Sequence, residues 1–266
     1  MGVSYTLAPP SQPAQEHLGV AAVDLTVNPL ILIPARMAAT RLPNKPLADI
    51  GGKPMIVRAW EQAALSGLPV AVAAGDPEIV AAVEAAGGVA VLTDSDLPSG
   101  SDRIRAALEV IDPEGRHDAV INLQGDMPFA APDLALACAN LLESEPACDI
   151  ATLIAPELDA SDRSNPDVVK AVVALSGGAR HGRALYFTRS TLYGDGPVWR
   201  HIGLYGYRRE ALLRFCAAPP SPLERREKLE QLRALEMGLQ IWAAIIDEAP
   251  LSVDNPDDLA AAQALA

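Results

Sequence analysis

Arg36, Thr40, Arg41 and Lys45 fall in residues 30–47, LILIPARMAATRLPNKPL, directly behind an apolar run that stops at Pro34. The chain of 266 residues carries a formal net charge of −13. Yet Arg36, Arg41, Lys45, Lys53 and Arg58 face a single anion, Asp49, between positions 36 and 58. Guanidinium groups bind phosphate oxygens bidentately, and a lysine adds a mobile point charge. The loop therefore reads as a local anion site, with a solvated charged surface as the competing reading. The acidity of the whole chain argues against nucleic acid and anionic membrane as partners.

Two carboxylates complement these cations. Asp126 follows a predicted strand in NLQGDMP, where Gly125 permits close backbone approach and Pro128 turns the chain away. Asp254 lies in LSVDNPDDL, between a predicted strand and a helix start. Hard oxygen donors at one strand edge suit Mg²⁺, which uses one or two carboxylates plus substrate phosphates. Helix capping is the other reading of Asp254, because an aspartate shortly before a helix-starting proline commonly caps it.

Other chemistries lack their residues. Neither G-x-x-x-x-G-K-[ST] nor G-x-G-x-x-G is present, no G-x-S-x-G nucleophile motif occurs, and the four histidines are scattered. Asp94-Ser95-Asp96 matches the D-x-D of sugar-nucleotide glycosyltransferases, but a turn or cap explains three residues equally well. Ser99-Gly100-Ser101-Asp102-Arg103 can cap the next helix, with Ser101 or Asp102 at its start, and a nucleotide contact is the alternative.

These groups need a scaffold. The spacing predicts a strand over 30–34, a helix from Pro54 to Gly67, a strand over 70–74, a helix over 77–86 and a short strand over 89–92. A helix near Ser101, a strand over 118–124 and a helix over 132–144 follow. Such alternation, with continuously apolar strands, predicts a parallel sheet covered on both faces, whose ligands bind beyond the carboxyl ends of the strands. From residue 149 the text becomes strand-rich and predicts a partly antiparallel region. Helices over 209–218 and 222–237, a strand over 240–247 and a helix after Asn255-Pro256 complete the chain, with the last strand and helix expected to rejoin the main sheet.

An apolar content of 50% suffices for a substantial core. Residues 1–29 lack Lys and Arg and are interrupted by prolines, which fits neither a signal peptide nor a membrane span and predicts a flexible tail. Cys138, Cys148 and Cys216 have no C-x-x-C spacing and read as reduced thiols rather than a disulfide framework or zinc site.

Taken in order, IPARMAATRLPNKPL, GGKPMI, SGSDR, NLQGDMP, ALYFTRS, HIGLYGYR, SPLERREKLEQLR and SVDNPDDL resemble the 3-deoxy-manno-octulosonate cytidylyltransferases over about residues 30–264. The resemblance implies an α/β, Rossmann-like nucleotidyltransferase fold (GT-A-like) with a mixed sheet. It implies one cytidylyltransferase domain over 30–266, with about 177–240 forming an inserted sugar-binding and dimerisation region. The implied reaction joins CTP to Kdo, an eight-carbon acidic sugar, giving CMP-Kdo and pyrophosphate for lipopolysaccharide biosynthesis. A cytoplasmic homodimer using Mg²⁺ is implied as well. Carried to matching positions, Arg36, Arg41 and Lys45 hold the triphosphate, and Asp126 and Asp254 hold the metal. Gln124, Arg189, His201, Tyr205, Glu230 and Gln231 contact the sugar, while Asp76 and Arg103 lie near the nucleoside.

The chain departs from the family pattern at four places. Met127 stands where an acidic residue is common, Asn44 for glycine, Gly75 for threonine and Ser101 for threonine. A cytidylyltransferase for another acidic sugar (8-amino-Kdo or a sialic acid), a D-x-D glycosyltransferase and a noncatalytic nucleotide-binding regulator are the alternative expectations.

Overall fold

The computed structural model describes residues 25–38, 42–157, 161–194 and 196–266. Most of the expected tail, and both Thr40 and Arg41, lie outside the described residues. Two compact units are present: the chain up to Ala135 with Pro250–Ala266, and Leu136–Ala249.

In the first unit, strand β1 (Pro29–Ala35) is followed by one 3-10 turn (Lys45–Leu47), the hairpin strands β2 (Asp49–Ile50) and β3 (Lys53–Pro54), and helix α1 (Met55–Ala64). Strand β4 (Val70–Ala74), helix α2 (Pro77–Ala85), strand β5 (Ala90–Leu92), helix α3 (Gly100–Ile111) and strand β6 (Ala119–Asn122) then alternate. All pair in parallel in the order β5-β4-β1-β6. Their apolar runs are continuous because a parallel sheet is covered on both faces: Ile31, Leu32, Ile33, Val72, Val120 and Ile121 are fully buried. Helix α3 starts at Gly100, one residue before Ser101, because Ser99 is its cap: Ser99 Oγ accepts from Asp102 N at 3.1 Å and donates to Asp102 Oδ2 at 2.7 Å.

Helix α4 (Pro132–Ser144) carries the chain into the second unit. There, strands β7 (Ile150–Pro156), β8 (Lys170–Ala174), β9 (His181–Thr188) and β10 (Trp199–Arg208) precede helices α5 (Arg209–Ala217), α6 (Pro222–Glu227) and α7 (Gln231–Glu236), then strand β11 (Ile241–Ile245). The strand order is β10-β7-β11-β9-β8, and only β7 with β11 pairs in parallel, so the sheet here is mixed. The helix expected over 222–237 is two helices. Lys228 adopts φ 56°, ψ 46°, a left-handed conformation that ends α6. Strand β11 lies between β7 and β9 in this unit, whereas the last helix, α8 (Pro256–Ala264), belongs to the first.

Lys170, on β8, is fully buried and reaches backbone oxygen at both ends of a loop-to-strand junction: Nζ donates to Asn165 O and Arg189 O, each at 2.8 Å. Burial, and then the nearby Arg189 charge, lowers its pKa. Lys170→Met keeps the stem but strands both carbonyls. We expect a stability loss of about 2 kcal/mol, read as a lowered urea midpoint at unchanged slope.

Candidate active site

The loops beyond the carboxyl ends of the parallel strands line one cleft in the first unit, with about 750 Å³ of empty space that includes open solvent. Arg36 and Lys45 come from the loop after β1, Ser99 and Arg103 from the start of α3, and Gln124, Gly125 and Asp126 from the loop after β6. Ser99 was expected only as part of the Ser99–Arg103 stretch, read as a cap or a nucleotide contact. Its S-x-x-D spacing to Asp102 is the sequence signal that points to it.

Lys45 is placed by the single 3-10 turn. Asn44 precedes it at φ 56°, ψ 24°, a left-handed conformation that asparagine tolerates better than most residues. Lys45 Nζ donates to Asp126 Oδ2 at 2.8 Å and to Asp254 Oδ1 at 3.1 Å. The two aspartates are joined through backbone as well, because Val253 N donates to Asp126 O at 2.9 Å. Beneath them, Ile50, Met55, Val253 and Ala262 form a buried cluster that fixes the 251–254 segment. Helix capping does not occupy Asp254: α8 is capped by Asn255, whose side chain accepts from Asp258 N, while Asp258 Oδ2 accepts from the backbone of Asp254 and Asn255. Gly125 is needed for close approach, since a Cβ there would sit 3.0 Å from Pro34 O and 3.1 Å from Ile56 Cδ1. Met127 is buried rather than facing solvent.

The cation-rich stretch separates into two populations. Lys53 pairs with Glu61 at 2.7 Å, and Arg58 donates to the carbonyls of Ile50 and Gly51, so both serve the hairpin. Arg36 and Lys45 line the cleft.

Arg103 is buried, and its guanidinium donates to Thr93 Oγ1 (2.7 Å), Asp94 O (2.9 Å) and Ser95 O (3.1 Å). Burial, and then the nearby Arg36 charge, lowers its pKa. Asp94-Ser95-Asp96 is thus a turn whose carbonyls hold Arg103, with Asp96 N donating to Asp94 Oδ1 at 2.9 Å. Asp76 Oδ2 accepts from Met37 N at 2.7 Å and steadies the loop after β1. Gln124 Nε2 donates to Asn122 Oδ1 at 3.2 Å.

The remaining expected residues lie in the second unit. The register of β10 against β7 shifts between Ile202 and Tyr205, and Thr152 fills the irregularity. Its Oγ1 lies 2.9 Å from Leu204 O, 3.2 Å from Ile202 O and 3.0 Å from His201 Nε2. The hydroxyl has one proton, which goes to carbonyl oxygen, so His201 carries its own proton on Nε2 and donates it to Thr152, leaving Nδ1 as the acceptor. Burial lowers the His201 pKa to about 3. The ring packs edge-on against Phe187 at 4.8 Å and lies 5.4 Å from Tyr205, whose pKa burial raises. Arg189 donates to Pro166 O at 2.9 Å. Glu230 is exposed at the start of α7, and the buried Gln231 Nε2 has no hydrogen-bond partner among the described residues. Nothing in the sequence pattern marked Thr152, which sits inside an ordinary apolar strand.

Among the described residues no three His, Cys, Asp or Glu side chains are grouped to hold a metal, and no helix is long and apolar enough to cross a membrane. Cys138 and Cys148 are buried, Cys216 is partly exposed, and all three are unbridged.

Parallel strands whose carboxyl-end loops bring Arg36, Lys45, Arg103 and Asp126 to one cleft define an α/β protein with a charged cleft at the sheet edge. A sequence profile described as Cytidylyltransferase matches residues 30–241. The 3-deoxy-manno-octulosonate cytidylyltransferase of Methylobacterium radiotolerans is 58% identical over 240 residues, 90% of this chain and 96% of the relative. That of Parvibaculum lavamentivorans is 56% identical over 92% of this chain and 95% of its own length. A solved structure of CMP:2-keto-3-deoxy-manno-octonic acid synthetase complexed with CTP superposes with a TM-score of 0.81 at 36% identity, over 90% of this chain and 98% of that one. The chain belongs to the cytidylyltransferase family, in the branch of the 3-deoxy-manno-octulosonate cytidylyltransferases, and has its nucleotidyltransferase fold.

Two tests follow from the geometry. A Cβ on Gly75 would stand 2.7 Å from Arg103 Nη1 and 3.1 Å from Arg36 Cβ. Gly75→Ala should therefore lower stability by about 1–3 kcal/mol through overpacking, measured by urea unfolding. For His201, the unfolded chain takes up a proton near pH 6.5 whereas the folded one stays neutral to about pH 3. The unfolded state then binds more protons between those values, and stability falls as pH drops through that window. Unfolding at pH 6.5 and pH 5 should show a smaller loss for His201→Gln than for the wild type, and equal losses would refute the neutral ring.

Proposed function

We propose that the chain transfers CMP from CTP to Kdo, releasing pyrophosphate, with the cleft of the first unit as the nucleotide site. The observation that carries this reading is the convergence of Lys45, Asp126 and Asp254 at the carboxyl edge of the parallel strands in a chain of this family.

The anomeric hydroxyl of the sugar displaces pyrophosphate from the α-phosphorus in line, a reaction that asks the protein for positioning and charge neutralisation rather than for a covalent nucleophile. Arg36 and Lys45 supply positive charge to the triphosphate, and Arg41 adds to it in this reading. Arg103, fixed by three hydrogen bonds, and Asp76, through its hold on Met37, order the nucleoside end.

Asp126 and Asp254 are the residues for Mg²⁺. Two carboxylates already bind one cation in common, the Lys45 ammonium, which is the donor set that a metal taking its other ligands from phosphates and water requires. When bound, Mg²⁺ polarises the phosphate and lowers the pKa of the attacking hydroxyl.

For the sugar, the unpartnered amide nitrogen of Gln231 is a donor awaiting a hydroxyl. His201 offers Nδ1 as an acceptor and stays neutral, so it recognises a hydroxyl without competing for the acid group. Arg189 suits the sugar carboxylate once it releases Pro166 O. Tyr205 and Glu230 complete the set in the second unit. We extend the proposal to a cytoplasmic homodimer whose product enters lipopolysaccharide biosynthesis.

Pyrophosphate release should require CTP, Kdo and Mg²⁺ together, and robust turnover of 8-amino-Kdo or a sialic acid with none of Kdo would overturn the sugar assignment. Asp126→Asn and Asp254→Asn should each lower kcat by roughly a hundredfold or more with unchanged thermal melting, whereas near-normal rates in both would reject the metal role.

A further inference from the structure

The carboxylates proposed for the divalent cation already serve a cation. Lys45 Nζ lies 2.8 Å from Asp126 and 3.1 Å from Asp254, and its side chain is only 15% exposed. We propose that Lys45 is a place-holder: in the nucleotide-free protein its ammonium occupies the cation position and opposes metal entry, and the arriving triphosphate draws it away. This deepens the proposed metal role of Asp126 and Asp254 and rests on it.

Three features support the idea. A divalent cation and an ammonium brought to the same two carboxylates repel one another at short range, so each lowers the other's occupancy. The backbone beneath Lys45 is fixed by the left-handed Asn44 and by Pro46 inside the 3-10 turn, which leaves the four-carbon stem as the moving part. Arg36 lines the same cleft, so a phosphate bound there offers the ammonium a second anionic partner as it leaves the aspartates. Metal and nucleotide then bind with positive coupling, and the coupling is reciprocal. Lys45 accordingly sets the order of loading as well as charge.

The test is direct titration of Mn²⁺, which shares the preference of Mg²⁺ for oxygen ligands, into the nucleotide-free full chain, with free Mn²⁺ read by electron paramagnetic resonance. Lys45→Met and Lys45→Gln should bind Mn²⁺ about ten- to a hundredfold more tightly than the wild type, the range spanned by one or two charge-assisted hydrogen bonds. Adding Asp126→Asn to either variant should abolish the gain. Circular dichroism melting checks that each variant is folded, and the two lysine replacements guard against one failing to fold.

If neither variant gains affinity while the wild type binds Mn²⁺ with CTP beyond the amount CTP alone takes up, the place-holder role is wrong and the metal role stands. A gain that survives Asp126→Asn also overturns the place-holder. Absence of protein-bound Mn²⁺ even with CTP overturns the metal role, and this inference with it.

Discussion

The ion pairs of Lys45 with Asp126 and Asp254 bring together three stretches of chain that are remote in sequence: the loop after β1, the loop after β6 and the segment before α8. Charge alone would not hold them, because partly exposed ion pairs contribute little net stability. The hydrogen bond from Val253 N to Asp126 O and the apolar cluster around Ile50, Met55 and Val253 set the backbones first. The charged groups then meet at a point chosen by packing. This division is what a site needs if its side chains are to exchange partners without disturbing the loops.

The two units solve different physical problems. In the first, positive charge is gathered in a chain of net charge −13 by committing Lys53 and Arg58 to the hairpin and leaving Arg36 and Lys45 to the cleft. In the second, polar groups are buried among apolar strands and each must find a partner. Thr152 does this for the irregular segment of β10, and Lys170 does it for Asn165 and Arg189. Gln231 Nε2 is, with Trp242 Nε1, among the buried donors of this unit that lack one among the described residues.

Sequence pattern made most of the first unit legible. Continuous apolar runs such as VAVAA gave strand β4 its bounds, and Pro132 marked the start of α4, because burial on both sheet faces and proline's missing N–H act locally. The break at Lys228 was not legible, since a left-handed lysine has no compositional signature of the kind glycine provides. The start of α3 falls one residue before Ser101 because Ser99, Ser101 and Asp102 all qualify chemically as its cap and only the hydrogen bonds choose Ser99. For the site, Asp126 and Lys45 could be named from strand-end position. That Asp254 is released from capping by Asn255 and Asp258 depends on geometry that spacing does not encode.

The first unit is discontinuous, with its closing segment, Pro250–Ala266, made after all of Leu136–Ala249. A ribosome reading this message therefore delivers Arg36, Lys45, Arg103 and Asp126 early and Asp254 late. Domains generally fold as their residues emerge, but this cleft cannot be completed on that schedule. Throughout translation of the second unit Lys45 can pair with Asp126 alone, and the paired carboxylates come into existence only after that unit has been made. A nascent chain interrupted before that point holds the cations of the cleft without the acidic pair that gives them chemistry.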